Sequence, residues 1–417
     1  FFSPPPPPPP ILSGLVGSEM CIRDRCCRHP LVGSVPLHPF SGPYSNSKGN
    51  TRRQISLDQV MINPMSAPSV SGHKQRIAQA WAGRVSGCML GKPIEIMSMR
   101  KGPANLGNYL EEVKALPLRE YIPFAPEVDD HVEHPAACRD LISAAIPDDD
   151  INYTVISLLV LEEYGPNFTT ADVGRIWLRY LPGAMVFTAE REAYAKLLAS
   201  AGMRFPYGAE PAMDLDECSD NPYNDWIGAQ IRTDLYGWVN PGDPEQAASM
   251  AERDAALSHR GEGVYGAVAI AVIGALIGGG MEIHEALETT VGFLPADCEC
   301  AKALILGLSE MSSPNARRIH DAYEGMSPVH TVNNLALVAW GLARGAEDFS
   351  VAVGETVAAG WDTDCNGATV GGLWGLTGRK VPKQWTVPWA GRVQTSLSGI
   401  PEARLSDLVD RTVATAL

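Results

Sequence analysis

From Lys74 onward the sequence is patterned for helices almost throughout, and that leaves few folds open to it. Ile77, Ala80, Trp81 and Arg84 begin an amphipathic segment at helical spacing, and Tyr153, Ile156, Leu159, Val160 and Tyr164 repeat that period further on. Gly165-Pro166 stops the second segment, while Asp243-Pro244-Glu245 supplies an N-cap, a first-turn proline and an early acid for a helix reaching His259. Further helices are predicted at about 296–311, 333–343, 351–359 and 366–376. Short alternating β-branched runs bounded by turns hardly occur, which disfavours a parallel sheet. The expectation is an all-α fold, one helical domain over about 71–400, followed by a C-terminal tail or helix at 401–417.

The start of the chain does not share this pattern. Residues 1–70 read as disordered and proline-rich, because Pro4 to Pro10 can form only extended polyproline or coil. The stretch from Leu15 to Arg25 resembles translated sequencing-adapter read-through, so part of this region is expected to be non-native, with Met61 or Met65 as candidate starts. An organelle-targeting extension is the competing reading, since arginines outnumber acids there, but a leading proline run fits it poorly.

Hydrophobic residues make up 45% of the chain, ample for a core, and the net charge of −15 argues against binding a nucleic-acid backbone. One anionic small molecule is still allowed, because bound cations would reverse the local field. The nine cysteines include Cys26-Cys27 and Cys298-x-Cys300, spacings that make no disulfide or zinc framework, so reduced thiols in a cytoplasmic protein are expected. The uncharged run Val264 to Met281 is rich in Gly and Ala and flanked by Glu262 and Glu282; a buried core helix, with no membrane span, is the better reading.

Two carboxylate clusters carry the chemistry. Asp148-Asp149-Asp150 and Asp362-Thr363-Asp364 each stand at the start of a helix-like segment. Carboxylates this dense repel one another and take protons unless a cation neutralises them, and Mg²⁺ or Mn²⁺ suits an all-oxygen set. Either cluster alone reads as a helix cap; the pair reads as a metal site. The third informative segment is Gly83-Arg84-Val85-Ser86-Gly87-Cys88-Met89-Leu90-Gly91-Lys92-Pro93-Ile94-Glu95. Glycines spaced by four let another backbone approach closely, Gly91-Lys92-Pro93 breaks the helix, and Glu95 on the resulting loop is either a general base or gate beside the metals or an ordinary surface acid.

Taken in order, four segments resemble the ADP-ribosylglycohydrolase family: Gly87 to Glu95, Asp148 to Asp150, Gly228-Ala229-Gln230-Ile231-Arg232 with Leu257-Ser258-His259, and Asp362-Thr363-Asp364-Cys365-Asn366-Gly367-Ala368. The resemblance covers roughly residues 75–380 and is most specific in the last segment. It implies a single orthogonal helical-bundle domain with a central binuclear metal cleft, and a hydrolase that cleaves the N- or O-glycosidic bond to ADP-ribose on a protein or small molecule. It implies two Mg²⁺ ions, Mn²⁺ being possible, held by Asp148, Asp149, Asp150, Asp362, Asp364 and Cys365. Glu95, Asp149 and Asp364 would be catalytic. Gly228, Arg232, His259, Trp361 and Asn366 would bind substrate. For Arg232 a structural ion pair is an equal alternative, His259 also reads as a helix cap, and Trp361 stacks on adenine or anchors the metal loop. Asn333 and Asn334 read as caps.

Departures from the family pattern bear on the substrate. Cys88 stands where an aspartate is usual, Asp148, Ile151 and Cys365 replace threonines, and Asp225-Trp226-Ile227 stands where a glycine-asparagine-glycine loop is usual. They keep open a hydrolase of another ribosylated metabolite, and a catalytically silent ADP-ribose-binding relative.

Overall fold

The computed structural model describes residues 70–201 and 214–416. The expectations for the proline-rich start, its alternative initiation sites and Cys26-Cys27 lie outside these residues. The described chain is overwhelmingly helical. Its first half runs α1 (Val70–Gly91), α2 (Glu95–Glu112), α3 (Asp149–Tyr164), α4 (Thr170–Tyr180), α5 (Thr188–Ala201), α6 (Leu215–Ser219), α7 (Asp234–Val239) and α8 (Pro244–Ala255). It continues through α9 (Gly261–Gly279), α10 (Ile283–Val291), α11 (Glu299–Ser309), α12 (Arg317–Ala322), α13 (Thr331–Arg344), α14 (Phe349–Ala359), α15 (Thr363–Gly375), α16 (Lys383–Thr386) and α17 (Leu405–Thr415).

Local chemistry sets many of these ends. Asp148 and Asp243 accept backbone N–H bonds as N-caps, and Thr169 with Asp172 forms a reciprocal capping box. Gly280, at φ 105°, closes α9 in a left-handed turn that a side chain would oppose. The apolar α9 is long enough to cross a membrane, but most of it is buried inside the domain, against α7, α8 and α13. Its glycines and alanines let neighbouring helices close in on every side.

Among the described residues the one sheet is a two-stranded hairpin, β1 (Arg392–Gln394) antiparallel to β2 (Glu402–Arg404). It reaches back to the segment that leads into α3: Ala145 N–H donates to Arg392 O at 2.9 Å, and Gln394 N–H donates to Ala145 O at 3.0 Å. Residues 401–417, expected as a C-terminal tail or helix, contain β2 and α17. β2 and α17 belong to the same compact unit, α17 packs on α1, and Trp81 Nε1 donates to Thr412 Oγ1 at 3.0 Å. Period alone missed this, because a three-residue strand carries too little alternation to read.

Candidate active site

Among the described helices α1 and α15 pack antiparallel with backbones in direct contact, and glycines make it possible. A methyl group on Gly87 would fall inside the Gly367 carbonyl, and one on Gly83 inside the Gly371 carbonyl. Two glycine rows thus meet, backbone on backbone, and bring the C-terminal end of α1 to the N-terminal end of α15. Thr363 Oγ1 locks that end by donating to Gly91 O at 2.9 Å. The first turn of α3 arrives from a third direction, held by Ser396 N–H donating to Asn152 Oδ1 at 3.0 Å.

The two acidic clusters, far apart in sequence, meet at this junction together with Glu95. Potential ligand atoms of Asp150, Asp364 and Cys365 lie within 4.8 Å of one another, as do those of Glu95, Asp362 and Asp364. Asp149 stands beside them on the first turn of α3, partly exposed. Two cations are built in. Lys92 Nζ lies 2.8 Å from Glu95 Oε2, 2.8 Å from Asp148 Oδ2 and 3.0 Å from Asp364 Oδ2. Arg84, fully buried, pairs with Asp150 Oδ1 at 3.2 Å and Asp234 Oδ2 at 3.0 Å, and donates to Asp150 O and Ile231 O. Neither Lys92 nor Arg84 was marked in the sequence as part of the site, since nothing local shows which acids a lysine or arginine will face.

These counter-charges do not suffice. Asp150 Oδ2, Asp362 Oδ1 and Asp364 Oδ1 are buried with no hydrogen-bond donor. Buried carboxylate oxygens are rarely left bare, because each forfeits its hydration. Burial, Asp364 and Asp362 push the Glu95 carboxyl well above its ordinary value despite Lys92. Burial and the Asp148 charge raise Asp149 to about 8, and burial followed by Asp364 raises Asp362 strongly. Asp150 is likewise pushed up, by burial first and then by its acidic neighbours, with Arg84 opposing. Asp148 goes the other way: burial would raise it, but Lys92 holds it below the usual carboxylate range. Lys92 stays charged, since Asp148, Asp364 and Glu95 outweigh the effect of its burial. An oxygen-rich, buried, under-neutralised set of this kind fits divalent cations. Cys88 and Cys365 are buried thiols whose pKa values burial raises well above normal, so neither is a thiolate.

The loop before α15 is shaped by residues that read as minor in the sequence. Gly360 and Trp361 both take positive φ, 88° and 59°. The Trp361 ring is 7% exposed and meets His320 edge-on, centroids 4.3 Å apart, so it anchors this turn in the protein. Asn334 does more than cap. Its Oδ1 accepts from Asn366 Nδ2 at 2.7 Å and Asp362 N–H at 3.4 Å, while its Nδ2 donates to Pro328 O and His330 O. It holds the second acidic cluster in place.

Gly228, Arg232 and His259 also meet, in a separate buried group. Arg232 donates to Asp254 Oδ1 at 2.5 Å, Glu190 Oε1 at 2.7 Å and Ser258 Oγ at 2.9 Å, and lies over the Trp177 ring at 5.1 Å. Tyr236 OH donates to the other Asp254 oxygen at 2.7 Å. His259 Nδ1 is 2.8 Å from Ser258 Oγ and its Nε2 3.7 Å from Glu190; burial and Arg232 hold its pKa well below normal, so the ring is neutral. A side chain on Gly228 would strike Glu190, which explains the glycine. Arg232 therefore makes the structural ion pair. Glu190 and Asp254, its partners, carried no sequence signal.

Fold and site together define an all-helical protein organised around a buried carboxylate centre. A sequence profile of ADP-ribosylglycohydrolase matches residues 69–415, so the chain belongs to the ADP-ribosylglycohydrolase family and is a glycosidic hydrolase. A solved structure of an ADP-ribosylglycohydrolase-related protein complex superposes with a TM-score of 0.52 at 19% identity, covering 83% of this chain and 98% of that one. At that identity it shows the fold. No curated protein matches the chain.

Proposed function

We propose that the chain is a divalent-metal-dependent hydrolase that releases ADP-ribose from an N- or O-glycosidic linkage on a protein or small molecule. The observation that carries this reading is the meeting of both acidic clusters with Glu95, leaving buried carboxylate oxygens bare. Asp148, Asp149, Asp150, Asp362 and Asp364 are the residues that would hold the metal, Mg²⁺ or Mn²⁺ by ligand type. A neutral Cys365 thiol is a poor ligand for either. When bound, the metal would orient adjacent ribose hydroxyls and stabilise charge developing near the anomeric carbon.

The chain's own residues handle the proton. Glu95 is 17% exposed by its side chain, stands at the start of α2, and has a carboxyl that burial and Asp364 push well above its ordinary value, which suits a group that takes and returns a proton near the scissile bond. Lys92 holds its carboxylate in place from one side. Asn334 and Asn366 fix the loop on which Asp362 and Asp364 sit.

A second reading has a specific observation in its favour. Arg232 is fully buried with its donors spent on Glu190, Asp254 and Ser258, and His259, whose Nε2 has no hydrogen-bond partner, is buried beside it, so neither presents a charged donor to a diphosphate at the surface. That favours another ribosylated metabolite, recognised without them. A cytoplasmic setting accompanies either reading, consistent with six described cysteines that are all free and buried.

An assay across ADP-ribosylated arginine, serine and small molecules, with Mg²⁺ or Mn²⁺ and Asp364→Asn as control, tests the proposal. Release of ADP-ribose that the control lacks supports it. Stabilisation by another riboside, with no response to ADP-ribose, moves the substrate to the second reading.

A further inference from the structure

The carboxylate centre already contains a cation, and it sits between the two clusters. Lys92 enters from the 3-10 turn Lys92–Ile94 that follows α1, and its side chain is 13% exposed. An ammonium has three N–H donors and no acceptor. Here it faces three carboxylates from three segments: Glu95 at 2.8 Å, Asp148 at 2.8 Å and Asp364 at 3.0 Å. Asp148 and Asp364 are one member each of the two clusters, so the ammonium bridges them as a metal ion would. Lys92 hydrogen-bonds Glu95 and Asp364 and meets Asp148 Oδ2 as an ion pair alone, while Asp150 Oδ2, Asp362 Oδ1 and Asp364 Oδ1 have no donor at all and are left for something else. Asp364 is common to both arrangements, offering Oδ2 to Lys92 and Oδ1 to the remaining space.

We propose that the Lys92 ammonium takes one of the two cation positions of this centre, and that the chain binds a single divalent ion on the carboxylates grouped around Asp364, which meets Asp150 on one side and Asp362 with Glu95 on the other. The inference rests on the centre being a divalent-metal site. Its physical basis is charge and geometry. A divalent ion bridging the two clusters through Asp148 and Asp364 would need the oxygens that Lys92 holds, and any second ion would lie against a positive charge that cannot leave without stranding them. An arginine could not substitute freely, since its planar fork does not point three donors at three converging carboxylates.

Mn²⁺ titration of the purified full chain, followed by electron paramagnetic resonance and calorimetry, tests this without recourse to turnover. The wild type is expected to bind one Mn²⁺ per chain, with no signal from a spin-coupled pair. Lys92→Met, which keeps length and removes charge, is expected to bind two and show the coupled signal. Mn²⁺ should also raise its melting temperature by more than that of the wild type. Two ions in the wild type, or one in a folded Lys92→Met, overturns the inference and leaves the metal site standing. No Mn²⁺ bound by the wild type overturns the metal reading itself, a distinct result. Should Lys92→Met fail to fold, Lys92→Gln and the wild-type count decide the matter.

Discussion

The molecule buries two dense groups of charge, and they are solved in opposite ways. Around Arg232 each charged atom has its answer: Asp254 takes donors from Arg232 and Tyr236, Glu190 takes one from Arg232, and the neutral His259 rests on Ser258. Around Asp364 the carboxylates outnumber the cations, and Asp148 Oδ2, Asp150 Oδ2, Asp362 Oδ1 and Asp364 Oδ1 accept no hydrogen bond, the first of them having only its ion pair with Lys92. Both groups touch α3, the first through Ser157 Oγ donating to Arg232 O at 2.7 Å, the second through Asp149 and Asp150 in the first turn. One helix thus serves as a girder for a finished ion-pair network and as one wall of an unfinished one. A finished network holds a fold together. An unfinished one leaves buried oxygens whose lost hydration a bound ligand would repay.

Four experiments would break or sharpen this contrast. The largest expected effect is on catalysis: Asp364→Asn should lower turnover by about a thousand-fold or more, about 4 kcal/mol of transition-state stabilisation, with weaker metal binding and an intact fold. Steady-state kinetics and calorimetry check it, and unchanged metal affinity would place Asp364 among structural residues. Next, Arg232→Met should destabilise by roughly 3–5 kcal/mol in denaturant unfolding, because it leaves Asp254 and Glu190 buried without their partner. A loss below about 1 kcal/mol would show that the network is not structural. Third, Gly87→Ala should cost about 1–3 kcal/mol by prising α1 from α15, and should weaken metal binding in the same step.

The smallest effect is a pH dependence of the metal-free protein. Asp149 has its pKa raised from an ordinary 3.8 to about 8, so folding favours its protonated form. That contribution is complete below about pH 4 and is lost as pH rises through about 8. Asp150, Asp362 and Glu95, raised for the same reasons, act in the same direction. Asp148, held low by Lys92, opposes them only at the acid end, its contribution vanishing as pH falls below its ordinary range. In chelator, the melting temperature should therefore decline by a few degrees between about pH 4 and 8, and Mg²⁺ or Mn²⁺ should flatten the decline. A flat profile in chelator would mean that these carboxylates are solvated, not stranded.

Much of this architecture was legible in advance, and the reasons are local. Helical spacing at Tyr153 to Tyr164, the Asp243-Pro244-Glu245 start, and the glycine stop at Gly165 each act within a few residues of themselves. The glycines at 83, 87 and 91 announced a close helix contact, though not which helix would supply the facing row at Gly367 and Gly371. The acids at 148–150 and 362–364 were singled out as a pair and do meet. Asn334 read as a cap and proved to hold Asp362 and Asn366, a role invisible without its neighbours.

What the sequence by itself determined is therefore the helices, their ends and the stock of oxygen ligands, because period, capping and residue chemistry are properties of short segments. Which charges would be answered, and by whom, was decided only in three dimensions. Lys92 and Asp364 stand 272 residues apart, and Arg84 reaches Asp150 and Asp234 from another helix. Electrostatic pairing depends on separation through space, and folding alone sets that separation.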